Sequence, residues 1–295
     1  MNIQMKNYLQ KVQQDLNIEF NNINPISEGV ASESFIINTE DDSKIFLKTG
    51  RNEKRIQIET KILKNLNFNK KPQLIGYNYK NPSYVAMKYH KNNLQWNKNN
   101  FIYNFVKSLG QDLNEIHSLS PPKSIPTLDT NLKEYYIYDE PDINEKYTNL
   151  LRKSCSELQN ITSEKCFIHG DVNFGNLILK KDGNINKFVD WESASYNYKL
   201  FDVAKAESSI DILSFYIDIN RDKIIDIFRS NYNVKNEDEL ELWKFIRQYN
   251  NYQKFIKHDG NHYDYGFDKS MKFELKKQKE LIKKQYLITN KILNK

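Results

Sequence analysis

The chain has 295 residues, a formal net charge of +6 and a hydrophobic content of 39%, which excludes a disordered chain. Its two cysteines, Cys155 and Cys166, do not suit a disulfide-rich secreted scaffold, and residues 1–17 lack the apolar core of a signal peptide, so we expect a cytoplasmic protein. No run approaches the ~18 apolar residues of a membrane span, so we expect no membrane association.

Residues 1–89 have the pattern of a small sheet with two helices. The apolar residues of segment 2–16 fall on one helical face, and those of segment 51–66 do the same. In segment 44–48 apolar residues at 45 and 47 alternate with lysines at the two ends, as in a half-buried strand. The predicted elements are helix 2–16, two strands within 24–37 around a turn at 28–33, strand 44–48, helix 51–66, and strands 73–79 and 84–89.

Residues 99–295 are mostly helical in pattern, and a polar segment, 90–98, separates them from the predicted sheet. Residues 120–142 contain prolines and read as a loop insertion. His117 lies beside apolar residues of the preceding helix, so we interpret it as a hydrogen-bonded core residue. The predicted helices are 99–119, 143–160, 203–218, 221–231, 237–257 and 270–293.

Acidic and aromatic side chains of the last third are candidates for ligand binding. Acids could hold a polycationic sugar, and aromatic rings could surround a quaternary amine. At helical spacing, however, both sets are more typical of a solvated face and of a core stripe, and we favour that interpretation. The lysines are spread along the chain, so a nucleic-acid partner is a minor alternative. The side chains in question are Glu207, Asp211, Asp218, Glu237, Asp238, Glu241, Tyr216, Trp243, Tyr249, Tyr252, Tyr263 and Tyr265.

The most informative segment is 166–193. A short apolar run at 166–168 leads into the polar residues from His169 to Asn176, and a second apolar run follows at 177–179. After a turn at Asp182-Gly183-Asn184, a third apolar run, Phe188-Val189, ends on Asp190. The pattern predicts strand, loop, strand, tight turn and strand. Two loops at neighbouring strand ends would then present Asp171, Asn176 and Asp190 together.

This set of residue types suits phosphoryl transfer from a nucleotide. The reaction needs a carboxylate that orients the nucleophile and accepts its proton, and Mg²⁺ ions that hold the phosphates. Mg²⁺ takes oxygen ligands and keeps several waters, so one aspartate and one asparagine suffice. We assign Asp171 as the base and Asn176 and Asp190 as the metal ligands. The Asp-x-x-x-x-Asn spacing, with a later aspartate after an apolar pair, is the kinase pattern.

The motif from His169-Gly170-Asp171 to Asn176, followed by Val189-Asp190-Trp191-Glu192, resembles the aminoglycoside phosphotransferase and choline kinase superfamily. The resemblance covers about residues 22–260, and 166–207 carry it with high specificity. It implies an α+β, two-lobed, protein-kinase-like fold. The implied N-lobe, 1–89, has a five-stranded antiparallel sheet plus a helix, and a hinge, 90–98, joins it to a larger, mostly helical C-lobe, 99–295.

The resemblance also implies a nucleotide site in the N-lobe. It places an ATP-contacting lysine at the position of Lys48 and its helix partner at Glu59, with Glu53 as the competing partner. The loop after the first strand would cover the phosphates, with Ser27 and Gly29 small enough for close backbone approach. Met87 and Tyr89 correspond to the hinge, where backbone groups read the adenine edge.

Four further residues of this region are candidates for supporting roles. His169 would anchor the loop rather than react, and Gly170 would allow a tight backbone there. Asp202 would cap a helix and brace the loop. Glu192 is either a further metal or second-layer group or a solvated carboxylate.

The implied activity is transfer of the γ-phosphoryl group of ATP, with Mg²⁺, to a hydroxyl of a small-molecule acceptor of amino-alcohol, sugar or aminoglycoside type. One alternative is a catalytically silent nucleotide-binding regulatory protein. A protein kinase is a weaker alternative, because Trp191-Glu192 replaces Phe-Gly and little chain remains for an activation segment. The sequence does not identify the acceptor or the oligomeric state.

Overall fold

The amino-terminal part of the chain is a five-stranded antiparallel sheet with one helix against each face. In the computed structural model, the described residues are 3–26, 33–49, 52–127, 145–161, 164–257 and 271–294. The strands follow the order β1-β2-β3-β5-β4, and every neighbouring pair is antiparallel. The elements are α1 (Ile3–Leu16), β1 (Phe20–Ile26), β2 (Ser34–Thr39), β3 (Lys44–Thr49), α2 (Glu53–Asn65), β4 (Leu74–Asn78) and β5 (Tyr84–Lys88).

The period of two in β3 decides which side chains face the cleft. Ile45 and Leu47 pack against Leu9 of α1, in a small apolar cluster on one face of the sheet. Because successive side chains of a strand point to opposite faces, Phe46 and Lys48 lie on the other face, where they line a cleft. The alternation seen in the sequence therefore positions Lys48.

The carboxy-terminal part is helical and surrounds one large apolar core. Helix α7 is buried over most of its length, because neighbouring helices cover it. None of the described helices combines the length and apolar character needed to cross a membrane. The helices are α3 (Asn99–Ser118), α4 (Glu145–Asn160), α5 (Lys199–Tyr216), α6 (Arg221–Tyr232), α7 (Glu237–Lys257) and α8 (Met271–Ile292).

Two small antiparallel sheets carry the segment that the sequence singled out. Strand β6 (Lys165–Ile168) pairs with β9 (Ser195–Tyr198), and β7 (Leu177–Leu179) pairs with β8 (Ile185–Phe188). The third strand thus begins earlier than the predicted Phe188-Val189 run. Strand β9 was not predicted, because its Ser-Tyr-Asn-Tyr sequence lacks an apolar run.

The loop after α2 is tied to β8 and to α3. The backbone N–H of Phe188 donates to the carbonyl of Lys70 at 2.8 Å, and Lys187 Nζ donates to the carbonyl of Asn69 at 2.8 Å. Lys70 Nζ in turn forms an ion pair with Asp112 of α3 at 2.6 Å. These contacts hold α2, which carries Glu59, against the strand that leads to Asp190.

The observed sheet and helices confirm the predicted α+β fold class.

Candidate active site

The loop after β6 is tight at Gly170. Its φ is +80°, a conformation that side-chain-bearing residues rarely adopt. A Cβ at this position would also overlap the carbonyl oxygen of Ser193. The expected role of Gly170 in a tight backbone is therefore confirmed, and it places Asp171 directly after the turn.

Asp202 braces this loop through two backbone amides. Its Oδ2 accepts the N–H of His169 at 2.9 Å, and its Oδ1 accepts the N–H of Gly170 at 3.0 Å. The carboxylate is fully buried, and His117 Nε2 lies 3.3 Å from it. The predicted capping role is wrong, because α5 begins at Lys199 and Asp202 lies inside its first turn. There the positive end of the helix dipole favours a carboxylate.

His169 is an anchor of the loop. It is fully buried, its Nδ1 accepts the backbone N–H of Asp171 at 3.2 Å, and its Nε2 lies 3.0 Å from the carbonyl of Val189. Since Nδ1 is an acceptor, the proton is on Nε2 and donates to Val189. Burial lowers the pKa of His169, which keeps the ring neutral.

The Asp171 carboxylate is held from two sides and remains partly exposed. Asn176 Nδ2 donates to Asp171 Oδ2 at 2.9 Å, and Lys205 Nζ forms a short ion pair with Oδ1. Lys205 also donates to the carbonyl of Gly170 at 3.2 Å. The side chain of Asp171 is 31% exposed, so it is open to solvent. Sequence reasoning missed Lys205, although it lies one helical turn after Asp202.

Asn176 joins the two loops of the site. It ends a short 3₁₀ turn, and its carbonyl accepts the backbone N–H of Val189 at 2.9 Å. Its side-chain nitrogen is used by Asp171, whereas no described donor reaches the side-chain oxygen. That oxygen is therefore available as a ligand for a hard cation.

Asp190 occupies a left-handed backbone conformation, with φ 62° and ψ 59°. For a residue with a side chain this costs about 1 kcal/mol, so the surrounding structure must hold it. Trp191 does so: it is fully buried, its Nε1 donates to the carbonyl of Phe188 at 2.7 Å, and its ring lies 4.4 Å from that of His169. The anchored indole thus orients the preceding carboxylate toward the cleft.

Lys48 lies among three carboxylates. Its Nζ is 3.2 Å from Glu59, 2.5 Å from Asp190 and 2.7 Å from Glu192. Burial disfavours the charge, but these carboxylates hold the pKa of Lys48 above its usual value. Burial also raises the pKa of Glu59 to about 7, against the opposing effect of Lys48. The competing partner, Glu53, is exposed and accepts a hydrogen bond from Gln57 instead.

The carboxylate oxygens of Glu59, Asp190 and Glu192 lie within 4.8 Å of one another. Oxygen donors at this spacing suit a hard divalent cation such as Mg²⁺ or Ca²⁺. Glu192 also accepts a hydrogen bond from Arg55 Nη1 at 2.8 Å. The alternative prediction that Glu192 is merely a solvated carboxylate is therefore wrong. Asp190, a predicted metal ligand, therefore lies in a set of oxygen donors that suits a divalent cation, although the Lys48 ammonium occupies the space among them.

A cleft of about 500 Å³ brings the predicted nucleotide residues together. The backbone N–H of Tyr89 donates to the carbonyl of Lys44 at 3.0 Å, so this N–H is already used within the sheet. His90 was missed: it is half-buried, and its Nε2 has no hydrogen-bond partner among the described residues. The predicted loop residues Ser27 and Gly29 lie outside the described residues. The cleft is lined by Lys48, Glu59, Asn176, Asp190, Met87, Tyr89 and His90, among others.

The model of the family described as "Phosphotransferase enzyme family" matches residues 22–215, about two-thirds of the chain. The chain belongs to the phosphotransferase enzyme family. The predicted superfamily is thereby confirmed. A search of curated proteins found no match.

Solved structures of phosphotransferases resemble nearly the whole chain. The GDP complex of wild-type aminoglycoside 2'-phosphotransferase-IIIa has a TM-score of 0.65 at 10% identity, covering 97% of this chain and 99% of that one. Choline kinase LicA from Streptococcus pneumoniae has a TM-score of 0.64 at 14% identity, covering 99% of both chains. Amicoumacin kinase hAmiN, in complex with AMP-PNP, Ca²⁺ and Ami, has a TM-score of 0.67 at 10% identity, covering 99% and 94%. At these identities the likeness shows the fold alone.

Buried acids of this phosphotransferase's last third are used in ion pairs. Glu207 is fully buried and pairs with Arg229 at 2.7 Å and with Lys244 at 2.9 Å. Asp211, also fully buried, pairs with Arg221 at 2.5 Å, and Glu241 pairs with Arg229 at 2.5 Å. The other three acids, Asp218, Glu237 and Asp238, are exposed. The aromatic side chains of Trp243, Tyr249 and Tyr252 are buried in the core. Outside the described residues lie Tyr263, Tyr265, His258 and His262.

Proposed function

We propose that this phosphotransferase moves the γ-phosphoryl group of ATP to a hydroxyl of a small molecule. The proposal rests on one observation: the partly exposed carboxylate of Asp171 accepts a hydrogen bond from Asn176, which lines the cleft. The same cleft is lined by Lys48 and two of its carboxylate partners, Glu59 and Asp190. Nucleotide complexes of similar folds, with GDP in one and AMP-PNP and Ca²⁺ in another, support a nucleotide in the cleft.

In the proposed reaction the acceptor oxygen attacks the γ-phosphorus in line with the bond to the β,γ-bridging oxygen. The new oxygen–phosphorus bond forms as the bridging bond breaks, and its electron pair leaves with ADP. The hydroxyl proton passes to the carboxylate of Asp171 and then to solvent. Asn176 and Lys205 hold that carboxylate, and His169 and Gly170 hold its backbone. The products are ADP, the phosphorylated acceptor and one proton.

The nucleotide would be bound by residues of both parts of the chain. Lys48, positioned by Glu59, would contact the α- and β-phosphates, and Asn176 and Asp190 would hold Mg²⁺. When bound, the ion neutralises phosphate charge. The adenine base of the nucleotide would lie against Met87 and donate a hydrogen bond to the backbone carbonyl of Tyr89. We assign residues 1–89 to this nucleotide-binding part, 90–98 to the linker and 99–295 to the part that binds the acceptor, and amides near Ser27 and Gly29 to the phosphates.

A protein kinase is disfavoured by the short connection after Asp190. Strand β9 begins at Ser195 and helix α5 begins at Lys199. The eight residues between Asp190 and α5 leave no room for an activation segment that could hold a peptide substrate. A small-molecule acceptor therefore fits better.

The test is ATP consumption with Mg²⁺ against a panel of amino-alcohols, hydroxy amino acids, sugars and aminoglycosides. Asp171→Asn should reduce acceptor-dependent turnover by about 10²–10⁴-fold, the usual contribution of a general base, while ATP still binds. Asp222→Asn, at an exposed aspartate of α6, is the matched control and should keep wild-type activity. Equal acceptor-dependent turnover in Asp171→Asn and wild type would refute the assignment. ATP binding without turnover in either protein would favour the silent nucleotide-binding alternative.

A further inference from the structure

Arg247 of α7 is a buried cation for which the described residues provide no anionic partner. Its exposed fraction is 9%, and its guanidinium carbon lies 5.4 Å from the centre of the Phe201 ring. Its Nε has no hydrogen-bond partner, and no carboxylate among the described residues lies within ion-pair distance. The stacking on Phe201 holds the flat group in place but does not neutralise its charge.

Lys244, the neighbouring buried cation of the same helix, is neutralised by carboxylates of the protein itself. Lys244, one turn earlier, is even more deeply buried, at 2% exposure, and has Glu207 at 2.9 Å, with Asp211 at 3.9 Å and Glu241 at 3.8 Å. Leaving a buried charge unpaired costs several kcal/mol, so folding alone gives no reason for an arginine at 247. An anion that binds to the folded protein would supply the missing partner.

Arg247 lies close to the proposed base. Phe201, on which it stacks, is four residues before Lys205 in α5, so the two side chains lie on one face of that helix. Lys205 points back toward the helix start and contacts Asp171. The guanidinium is therefore connected to the Asp171 carboxylate through Phe201 and Lys205, two neighbouring side chains on one face of α5.

The described charges of this region do not suit a polycationic acceptor. Glu207, Asp211 and Glu241 are all used by internal cations, whereas Arg247 is not used by any described acid. Within the described part of the chain, the charge that remains without a counter-charge here is thus positive.

We propose that Arg247 binds a carboxylate or phosphate group of the acceptor, so that the acceptor is an anionic hydroxyl compound such as a hydroxy amino acid or a phosphorylated polyol. This inference rests on the proposed function and names the acceptor class of the same site. The planar guanidinium, fixed on Phe201, can donate two parallel hydrogen bonds to either anion. The hydroxyl to be phosphorylated would then extend toward Asp171.

Binding is measured first, by calorimetry on the full chain saturated with ADP and Mg²⁺. Two matched pairs separate the anion from the rest of the molecule: homoserine with 3-aminopropan-1-ol, and glycerol 3-phosphate with glycerol. The first pair tests a carboxylate and the second a phosphate. Wild type should bind the anionic member of one pair more tightly, and Arg247→Met should lose about 10- to 100-fold of that preference, the range for a hydrogen bond to a charged group.

Turnover and stability complete the test. In Arg247→Met the KM for the anionic acceptor should rise by a similar factor, with the KM for ATP unchanged, and Arg247→Lys should restore part of the loss. Because the substitution removes an unpaired buried charge, Arg247→Met should melt at or above the wild-type temperature. Lys244→Met should melt lower, since it leaves Glu207 and Asp211 with less compensation.

The possible results of these experiments distinguish the inference about Arg247 from the proposed function. No preference for the anionic member of either pair, the same preference in Arg247→Met, or a lower melting temperature of Arg247→Met would overturn the inference. Arg247-dependent binding without any ATP consumption would support it and refute the proposed function. ATP-dependent phosphorylation of neutral or cationic acceptors that is indifferent to Arg247 would support the proposed function and overturn the inference.

Discussion

The buried carboxylate of Asp202 should contribute strongly to stability, and Asp202→Asn tests this. The carboxylate accepts the backbone amides of His169 and Gly170 at 2.9 and 3.0 Å. Hydrogen bonds to a charged group contribute about 1.5–3 kcal/mol each. The asparagine keeps one oxygen for one amide and turns its NH₂ group toward the other, so one bond is lost and one buried N–H is unsatisfied. We expect the free energy of unfolding to fall by about 2–4 kcal/mol.

The assay is urea unfolding followed by tryptophan fluorescence, with Asp222→Asn as the control. Asp222 is 75% exposed and pairs with Arg221 at the surface, so its substitution should change the free energy of unfolding by less than about 1 kcal/mol. Asp202→Asn should also lose acceptor-dependent turnover, because the amides that it releases hold the loop with Asp171. If the two variants unfold at the same urea concentration, the loop does not depend on this carboxylate and the reasoning is wrong.

Two further predictions concern the same loop. Gly170→Ala should lower the melting temperature and remove acceptor-dependent turnover, because φ is +80° and the new Cβ would overlap the Ser193 carbonyl. The measurement is thermal melting, with Gly175→Ala, at a glycine with negative φ, as the control. Equal melting temperatures of the two variants would contradict the prediction. Burial lowers the pKa of His169, so the unfolded chain takes up a proton that the folded one refuses, and stability should fall by up to about 1.4 kcal/mol per pH unit below the ordinary histidine pKa of about 6.5. Urea midpoints at pH 7.5 and 5.5 should therefore differ less in His169→Gln than in wild type, and an equal pH dependence would exclude His169 as its source.

Local patterns in the sequence were sufficient for most of the fold. The helical periods predicted the helices within a few residues, and α7 matches its predicted bounds. The alternation in β3 predicted a strand with Lys48 at its end, and the motif from His169 to Asp190 predicted two loops that meet. These features depend on neighbours in the chain, so a sequence can show them. Strand β9 was missed because its pairing with β6, rather than its own apolar content, makes it a strand.

Most charge partners were decided by the tertiary structure. The family resemblance implied Glu59 as the partner of Lys48, and the packing of α2 with the face of Glu59 inward places it there rather than Glu53. Lys205 reaches Asp171 across 34 residues of sequence, and the acids Glu207 and Asp211 pair with internal cations. Arg247 is distinguished from the paired Lys244 only by what surrounds each in the folded core. A side chain's type and period come from the sequence, but its electrostatic partner depends on how helices distant in the chain pack together.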